Sequence, residues 1–226
     1  MSKNSPLAVY TEISPNNSGE RTAAIDRITP HCVVGQCTVE YLGRLFANPE
    51  TAASSNYGID RTGRIGMYVP EDCRSWCSSS NANDQRAITI ECASDTTAPY
   101  RMNESVYAAL VELCIDICKR HGKSKLLWIS NKNDALAYQP APDEMLLTVH
   151  RWFAAKDCPG EWLYSRLGAL ASTVTDRLKT APDRVTTLYR VQVGAFKIKA
   201  NAEKLKKQLR DAGFSDAFIV EAGEDK

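Results

Sequence analysis

Segments with strand and helix patterns alternate along most of this chain, over residues 7–178. In one strand pattern, alternation puts Ile88 and Ile90 on one face and Thr89 and Glu91 on the other. The longest helix pattern follows this strand after a short loop, and its apolar positions recur at helical spacing. Such alternation is typical of domains in which helices cover a sheet. We therefore predict an α/β fold with a mixed central β-sheet flanked by helices.

The C-terminal part of the chain has a different organisation. A short strand pattern, a helix that begins at Asn201 and a returning strand from Phe214 to Val220 predict a small βαβ module. We predict a first domain over residues 1–178, a linker over residues 179–187 and the module over residues 188–226. A module of this size seldom buries enough surface to fold alone.

Composition excludes several classes of protein. The 226 residues carry a formal net charge of +1 and no long basic run, so we expect no binding to nucleic acid. We expect no insertion into a membrane, because no apolar stretch approaches the length of a membrane-spanning helix. The first residues lack an export signal, which predicts a protein that stays in the cytosol or leaves by an unusual route. The 8 cysteines are expected to be mostly reduced and structural.

One stretch of the sequence, residues 149–160, holds side chains that can bind a metal ion. His150 and Cys158 offer imidazole and thiolate, the two ligands that zinc prefers. Pro159 is predicted to begin a helix whose dipole favours the thiolate form of Cys158. His31, at the end of an early strand, would complete three protein ligands and leave a fourth position for water. His121 fits a helix-capping role better.

Other interpretations of these residues remain open at this point. A single histidine at a strand end is more often a structural residue than a ligand. Two cysteine pairs, Cys73 with Cys77 and Cys32 with Cys37, could also hold a metal ion, although neither has a second ligand pair at matching spacing.

Four motifs together resemble a known family. They are Thr29-Pro30-His31, Ser55-Asn56-Tyr57-Gly58-Ile59, Ile88-Thr89-Ile90-Glu91 and the His-Arg-Trp-Phe-x-x-Lys-x-Cys-Pro-Gly run over residues 150–160. The pattern resembles the zinc-dependent N-acetylmuramoyl-L-alanine amidases, which are phage endolysins and bacterial autolysins related to peptidoglycan recognition proteins. The resemblance covers roughly residues 5–178. It implies the peptidoglycan-recognition-protein-like fold and a Zn²⁺ ion whose bound water cleaves the amide between N-acetylmuramic acid and L-alanine.

The resemblance also implies roles for individual residues. The implied zinc ligands are His31, His150 and Cys158. Lys156 matches the lysine that stabilises the oxyanion of the tetrahedral intermediate, although most lysines are simply solvated. The alternative for Glu91, which matches a general base for the attacking water, is an exposed carboxylate at a strand end.

Two aromatic residues receive less specific roles. Tyr57 matches a tyrosine near the zinc-bound water of related amidases, and a core tyrosine is the competing interpretation. Trp76, followed by three serines, is a candidate for binding the sugar and the stem peptide. Aromatic loop residues of this kind often only cover the edge of a core.

The C-terminal module resembles half of a SPOR repeat, a module that binds peptidoglycan on cell-wall amidases. The matching segments are Tyr189-Arg190-Val191-Gln192-Val193-Gly194-Ala195-Phe196 and Asn201-Ala202-Glu203. Because only one βαβ half is present, we predict a homodimer that pairs two half-modules, the alternative being a half-module docked on its own first domain.

The combined expectation is an endolysin that waits in the host cytoplasm until lysis and then acts on bacterial peptidoglycan. A bacterial autolysin, a non-catalytic peptidoglycan-binding protein and a peptidase on the same scaffold are the alternatives.

Overall fold

The computed structural model describes residues 4–180, 192–214 and 217–220. The chain divides into two compact units, residues 1–181 and residues 182–226. The strands of the first unit are β1 (Ala8–Thr11), β2 (Asn17–Glu20), β3 (Arg27–Cys32), β4 (Tyr57–Ile59), β5 (Ile65–Met67), β6 (Cys73–Ser75), β7 (Ala87–Cys92), β8 (Lys125–Leu127) and β9 (Glu144–Leu147). Its helices are α1 (Val39–Ala47), α2 (Asn81–Asp84), α3 (Glu104–Arg120), α4 (Lys132–Ala137), α5 (Glu161–Tyr164) and α6 (Leu167–Thr180). The second unit contains α7 (Lys199–Asp211).

Seven strands form one sheet in the order β1-β5-β4-β7-β3-β9-β8. The β4–β5 hairpin is antiparallel, whereas the other neighbouring strands of this sheet run parallel. The remaining two strands, β2 and β6, pair antiparallel in a small separate sheet. The predicted α/β fold with a mixed central sheet is therefore confirmed.

One face of the large sheet forms the apolar core. Ile88 and Ile90 of β7 are fully buried there, and they belong to one cluster with Leu110 and Ile117 of α3. Helix α3 packs against α6, which also packs on β8 at the sheet edge. Asn103 caps α3 by accepting the backbone N–H of Val106. Burial of these helices against the sheet follows from the alternation that the sequence shows.

The other face of the same strands is polar and is covered by a loop. The hydroxyls of Thr29 in β3 and Thr148 after β9 lie 2.7 Å apart, and Asn83 of α2 bonds both of them. Asn83 also donates to Ser78 at 3.2 Å. Because all four side chains are buried, these hydrogen bonds satisfy polar groups that would otherwise be costly. They fix residues 76–86 over the polar face, next to the strand ends.

Three predictions about helices and strands need correction. Pro159 does not begin a helix, because α5 begins at Glu161 and spans four residues. Helix α5 is followed by a separate helix, α6, which continues to Thr180, into the predicted linker. A helix is present in the C-terminal module, but it begins at Lys199 rather than at Asn201. Residues 192–198 and 217–220 are not strands, and residues 189–191 lie outside the described residues.

Within the part of the chain that the structure describes, no helix has both the length and the apolar character needed to cross a membrane.

Candidate metal centre

Three parallel strands bring the predicted ligands to one edge of the sheet. Strand β3 lies between β7 and β9, and the carboxyl ends of parallel strands are where α/β sheets present their sites. His31 of β3 is paired with Glu91 of β7, so both side chains extend from the same face. His150 follows β9 in a short 3₁₀ turn. The three strands thus bring together residues that are far apart in the sequence.

His31, His150 and Cys158 form a group whose ligand atoms all lie within 4.8 Å of one another. The His31 Nδ1 atom is 3.3 Å from the Cys158 Sγ atom, and the two histidine rings have centroids 5.1 Å apart. In a tetrahedral zinc site, ligand bonds of about 2.3 Å for sulfur and about 2.0 Å for nitrogen place those atoms about 3.5 Å apart. The observed separation therefore suits a single bound ion, and the donor types suit zinc.

The backbone of the loop after β9 returns Cys158 to the side of His150. The Arg151 N–H donates to the Cys158 carbonyl at 3.1 Å, and the Arg151 side chain donates to the Asp157 carbonyl at 2.6 Å. Gly160 turns the chain with a φ of +82°, and a Cβ atom there would lie 2.8 Å from the Pro99 carbonyl oxygen. A glycine is required at this turn because a larger residue would be strained and would collide with backbone.

Both histidines are held in the neutral form that binds a metal. Burial lowers the pKa of His31 to about 3, with a further contribution from His150. Burial also lowers the pKa of His150, and the nearby positive charge of Lys156 adds to this effect. Neutral imidazoles keep a lone pair available for an ion at neutral pH.

The expected activation of Cys158 by a helix dipole is wrong. The pKa of Cys158 is raised, first by a hydrogen bond with the Cys32 thiol, then by burial and by the negative charge of Glu91. Helix α5 is too short and begins too late to favour the thiolate. Cys158 is therefore a thiol here, and a bound ion would have to displace its proton.

Glu91 lies next to His31 of the ligand group. Burial raises the pKa of its carboxyl to about 7, and a hydrogen bond from Cys77 opposes this shift. The Cys77 Sγ atom lies 3.7 Å from Glu91 Oε1, whereas the Oε2 atom is buried without a hydrogen-bond partner among the described residues. An unpartnered carboxylate oxygen at this place is suited to accept a proton.

Sequence reasoning missed two residues of this centre, Cys77 and Ser79. Cys77 was considered only as a partner of Cys73, but its thiol lies with His31 and Glu91. The Cys73 thiol instead donates to the Asp72 carboxylate at 3.7 Å. Ser79 has a positive φ of 60°, and its Oγ atom is 2.9 Å from His150 Nε2. The serine-rich run after Trp76 was the only signal in the sequence.

Lys156 lies close to the ligand group, whereas the indole of Trp76 forms its hydrogen bond with Ser18. Lys156 is exposed, and its charge acts on His150, which places it near the ligand group. The Trp76 indole N–H donates to the Ser18 hydroxyl at 2.7 Å, next to the small β2–β6 sheet. The predicted substrate-binding role of Trp76 stays a prediction.

Tyr57 does not belong to this centre, which corrects its predicted place. Its neighbour Gly58, not Tyr57, is paired with Glu91, so the Tyr57 side chain extends from the opposite face of the sheet. The Tyr57 hydroxyl donates to Glu71 at 2.6 Å and accepts the Ser5 N–H at 2.7 Å. Tyr57 is a fully buried core residue, which was the competing interpretation.

The hydroxyl of Tyr57 is part of a buried ionic cluster around Glu71. Both Glu71 oxygens accept hydrogen bonds from Arg120, at 2.8 and 2.5 Å, and His121 Nε2 lies 2.7 Å from Oε2. Burial favours the neutral acid, but the bonds from His121, Arg120 and Tyr57 outweigh it, so the pKa of Glu71 is lowered. His121 is at the C-terminal end of α3, as its predicted capping role requires. Its ring also hydrogen-bonds the Glu71 carboxylate.

We expect Glu71→Gln to lower the free energy of unfolding by about 3 kcal/mol at pH 7, because it leaves a buried guanidinium without its partner. A lowered native pKa stabilises the fold above the ordinary carboxyl pKa of 4.5, and this contribution is lost as the pH falls through the native value. The difference between the two proteins should therefore shrink below pH 4.5. Urea unfolding followed by tryptophan fluorescence at several pH values measures it, and an unchanged difference at acid pH would contradict it.

Tyr57→Phe provides a second prediction about this cluster. The variant loses two hydrogen bonds to a buried hydroxyl, so we expect a loss of about 1–2 kcal/mol in stability. Its activity per folded molecule should stay within about twofold of wild type, since the side chain is on the face away from the ligand group. Activity assays after a stability check measure this. A large loss of activity in a stable variant would restore the catalytic role.

Two neutral imidazoles and a cysteine beside a buried carboxylate form the kind of donor set that catalytic zinc enzymes use, with room for a fourth ligand. Comparison with known proteins agrees with this class. A family model described as N-acetylmuramoyl-L-alanine amidase matches residues 21–161, more than half of the chain. The chain belongs to this family, whose members are peptidoglycan amidases. A SPOR domain model matches residues 163–225.

Solved structures show the same fold at low sequence identity. AmpD is 20% identical, with a TM-score of 0.53, and the match covers 76% of this chain and 98% of AmpD. PlyL is 13% identical, with a TM-score of 0.52, covering 74% of this chain and 96% of PlyL. A mutant endolysin from Bacillus subtilis is 17% identical, with a TM-score of 0.50, and the shares are 73% and 97%. No curated protein sequence matches the chain.

Proposed function

We propose that this amidase cleaves its substrate at a zinc ion held by His31, His150 and Cys158. The observation that carries the proposal is the convergence of these three donors at the carboxyl ends of β3 and β9, with His31 Nδ1 and Cys158 Sγ at 3.3 Å. When bound, zinc would lower the pKa of a water molecule and polarise the scissile carbonyl. The remaining steps fall to side chains of this chain.

Glu91 is proposed to take the proton of the attacking water. Its Oε2 atom is buried and unpartnered among the described residues, and the carboxyl extends from the same face as His31. A carboxyl whose pKa is raised by burial, to about 7, is a stronger base than an ordinary glutamate. Glu91 can then pass this proton to the leaving amine.

Lys156 is proposed to stabilise the negative charge that develops on the carbonyl oxygen. Its charge acts on His150, and the loop that carries it is closed by the Arg151–Cys158 backbone bond. A cation next to a developing oxyanion favours the transition state over the bound substrate.

We expect Lys156→Met to lower kcat by about 10²–10³-fold, the usual cost of losing one donor to an oxyanion. Metal content and KM should change little, because methionine keeps the length of the side chain and the ligands are untouched. Lys132→Met, an exposed lysine on α4, is the matched control. A loss confined to KM would instead assign Lys156 to substrate binding.

The bond that is cut and the metal that is needed can be determined in one experiment. Purified peptidoglycan is digested by the full chain with zinc, with a chelator, and with zinc restored, and the products are identified by mass spectrometry. The proposal expects new L-alanine amino termini without new reducing ends, only when metal is present. Cleavage within the stem peptide would support a peptidase. No cleavage under any condition would support a non-catalytic binding protein.

The second unit is proposed to bind peptidoglycan and to pair with a second copy. The amidase and SPOR matches both indicate peptidoglycan as the partner. Large apolar side chains of the described part of this unit are mostly exposed, among them Val193, Ile198, Phe214, Phe218 and Val220. Pairing two such units would remove these side chains from water. Light scattering tests the pairing, and a monomer at working concentration would contradict it.

The biological setting also belongs to the proposal. An endolysin rather than an autolysin is the setting we propose, and one solved structure of the same fold is that of an endolysin from Bacillus subtilis. Residence in the host cytoplasm until lysis stays a prediction, which fractionation of expressing cells before and after membrane permeabilisation would test.

A further inference from the structure

Next to the three predicted ligands lies a second set of potential donors. His31, Cys77 and Glu91 offer ligand atoms that all lie within 4.8 Å of one another. The proposed function gives the Cys77 thiol no role. We propose that these three residues form a second metal position, which takes a thiophilic divalent cation such as zinc or cobalt after the first position is filled.

The distance between the two new donors fits a bound ion. The Cys77 Sγ atom lies 3.7 Å from Glu91 Oε1. Bonds of about 2.3 Å to sulfur and about 2.0 Å to a carboxylate oxygen in a tetrahedral site place those atoms about 3.5 Å apart. The thiol now donates its hydrogen to the carboxylate. An ion would replace that proton, which passes to solvent as the thiolate forms.

Unpartnered buried atoms provide an independent sign of a missing ligand. His31 is 1% exposed, and its Nε2 atom has no hydrogen-bond partner among the described residues. Glu91 Oε2 is likewise buried and unpartnered. Such orphaned polar atoms are rare in native proteins and call for a partner such as an ion. Because His31 has two ring nitrogens, Nδ1 can serve the first position and Nε2 the second once the ring N–H proton has passed to solvent and the imidazolate bridges the two ions.

The loop that carries Cys77 is already held in place. The carboxylate of Asp84 is 2% exposed and accepts the N–H groups of Cys77, at 3.1 Å, and of Ser78, at 3.2 Å. Little ordering of the loop is therefore needed when an ion binds. Binding should still be weaker than at the first position, because two cations that share His31 repel each other.

A cation at the second position would occupy the carboxylate of Glu91. On the proposed function, Glu91 is the base for the attacking water, so the occupied form would be inactive. Excess metal should then inhibit the enzyme. This consequence rests on the proposed role of Glu91, whereas the metal position itself does not.

Cobalt added to the zinc-loaded full chain tests the position directly. Zinc binds such donors more tightly than cobalt, so the first position keeps its zinc and cobalt reports the second. We expect a thiolate-to-cobalt charge-transfer band in wild type and in Cys73→Ser, the half-buried control cysteine of the same segment. The band should be absent in Cys77→Ser and Cys77→Ala. No band in wild type, or an equal band in both Cys77 variants, would overturn the proposal.

A second readout separates this position from the proposed function. Activity with excess zinc is divided by the same protein's activity with one equivalent of zinc. This ratio should be about one-tenth or lower in wild type and in Cys73→Ser. It should stay near one in Cys77→Ser. A cobalt band without zinc inhibition would keep the metal position and contradict Glu91 as the base. A protein with no activity at one equivalent of zinc would contradict the proposed function alone.

Discussion

Replacing His150 and Cys158 together by alanine should abolish zinc binding at the first position and lower wall-degrading activity by about 10³-fold or more. The double variant keeps only His31 of the three donors of that position, and one imidazole does not hold zinc there at a working concentration. The metal contributes several kcal/mol to the transition state, which corresponds to a loss of this size. Zinc content by elemental analysis and release of amino termini from purified walls measure the two effects.

A matched control shows whether the loss is specific to the metal centre. Cys73→Ala removes a half-buried thiol that contacts Asp72, outside the ligand group, and it should leave zinc content and activity close to wild type. Chelation of wild type should reproduce the loss, and added zinc should reverse it. Activity that survives in a zinc-free double variant would end the assignment of this centre.

The second large effect is expected for Glu91→Gln. The amide keeps the size of the side chain but cannot accept a proton, so activity should fall by about 10²–10⁴-fold. With one equivalent of zinc supplied, zinc content should stay at the wild-type level, because the three ligands of the first position remain. Glu112→Gln, a carboxylate paired with Arg177 on the surface, is the control and should retain activity.

The comparison of metal content with activity makes this test decisive. Loss of activity with metal retained identifies a group that acts on the reacting atoms. Loss of both would show that Glu91 holds the first metal ion in place. Activity close to that of wild type would transfer the proton-accepting role to another group.

Much of the fold could be predicted from local pattern. The alternation of Ile88, Thr89, Ile90 and Glu91 identified β7 with its buried and polar faces. Short elements were missed because their formation depends on tertiary contacts. Helix α2 has only four residues, and its Asn83 is held by Thr29 and Thr148, which the sequence does not place nearby.

The candidate site, like the fold, could be predicted only in part from the sequence. His31, His150 and Cys158 were predicted from ligand chemistry and from a family resemblance, and strand order explains how they meet. Tyr57 was misplaced because a motif carries no information about which face of a strand a side chain occupies. Cys77 was weighed only together with Cys73, because spacing along the chain does not show that the Cys77 thiol lies next to Glu91 of β7.

The closing of the centre by Cys158 has a consequence for the order of events during synthesis. Cys158 follows His31 by 127 residues, so the earlier part of the domain emerges from the ribosome before the third donor exists. A chain that is truncated or still growing holds His31 and Glu91 but lacks the thiol that completes the ligand group. On the proposed zinc centre, a chain that ends before Cys158 is therefore inactive, however much of the sheet has already formed.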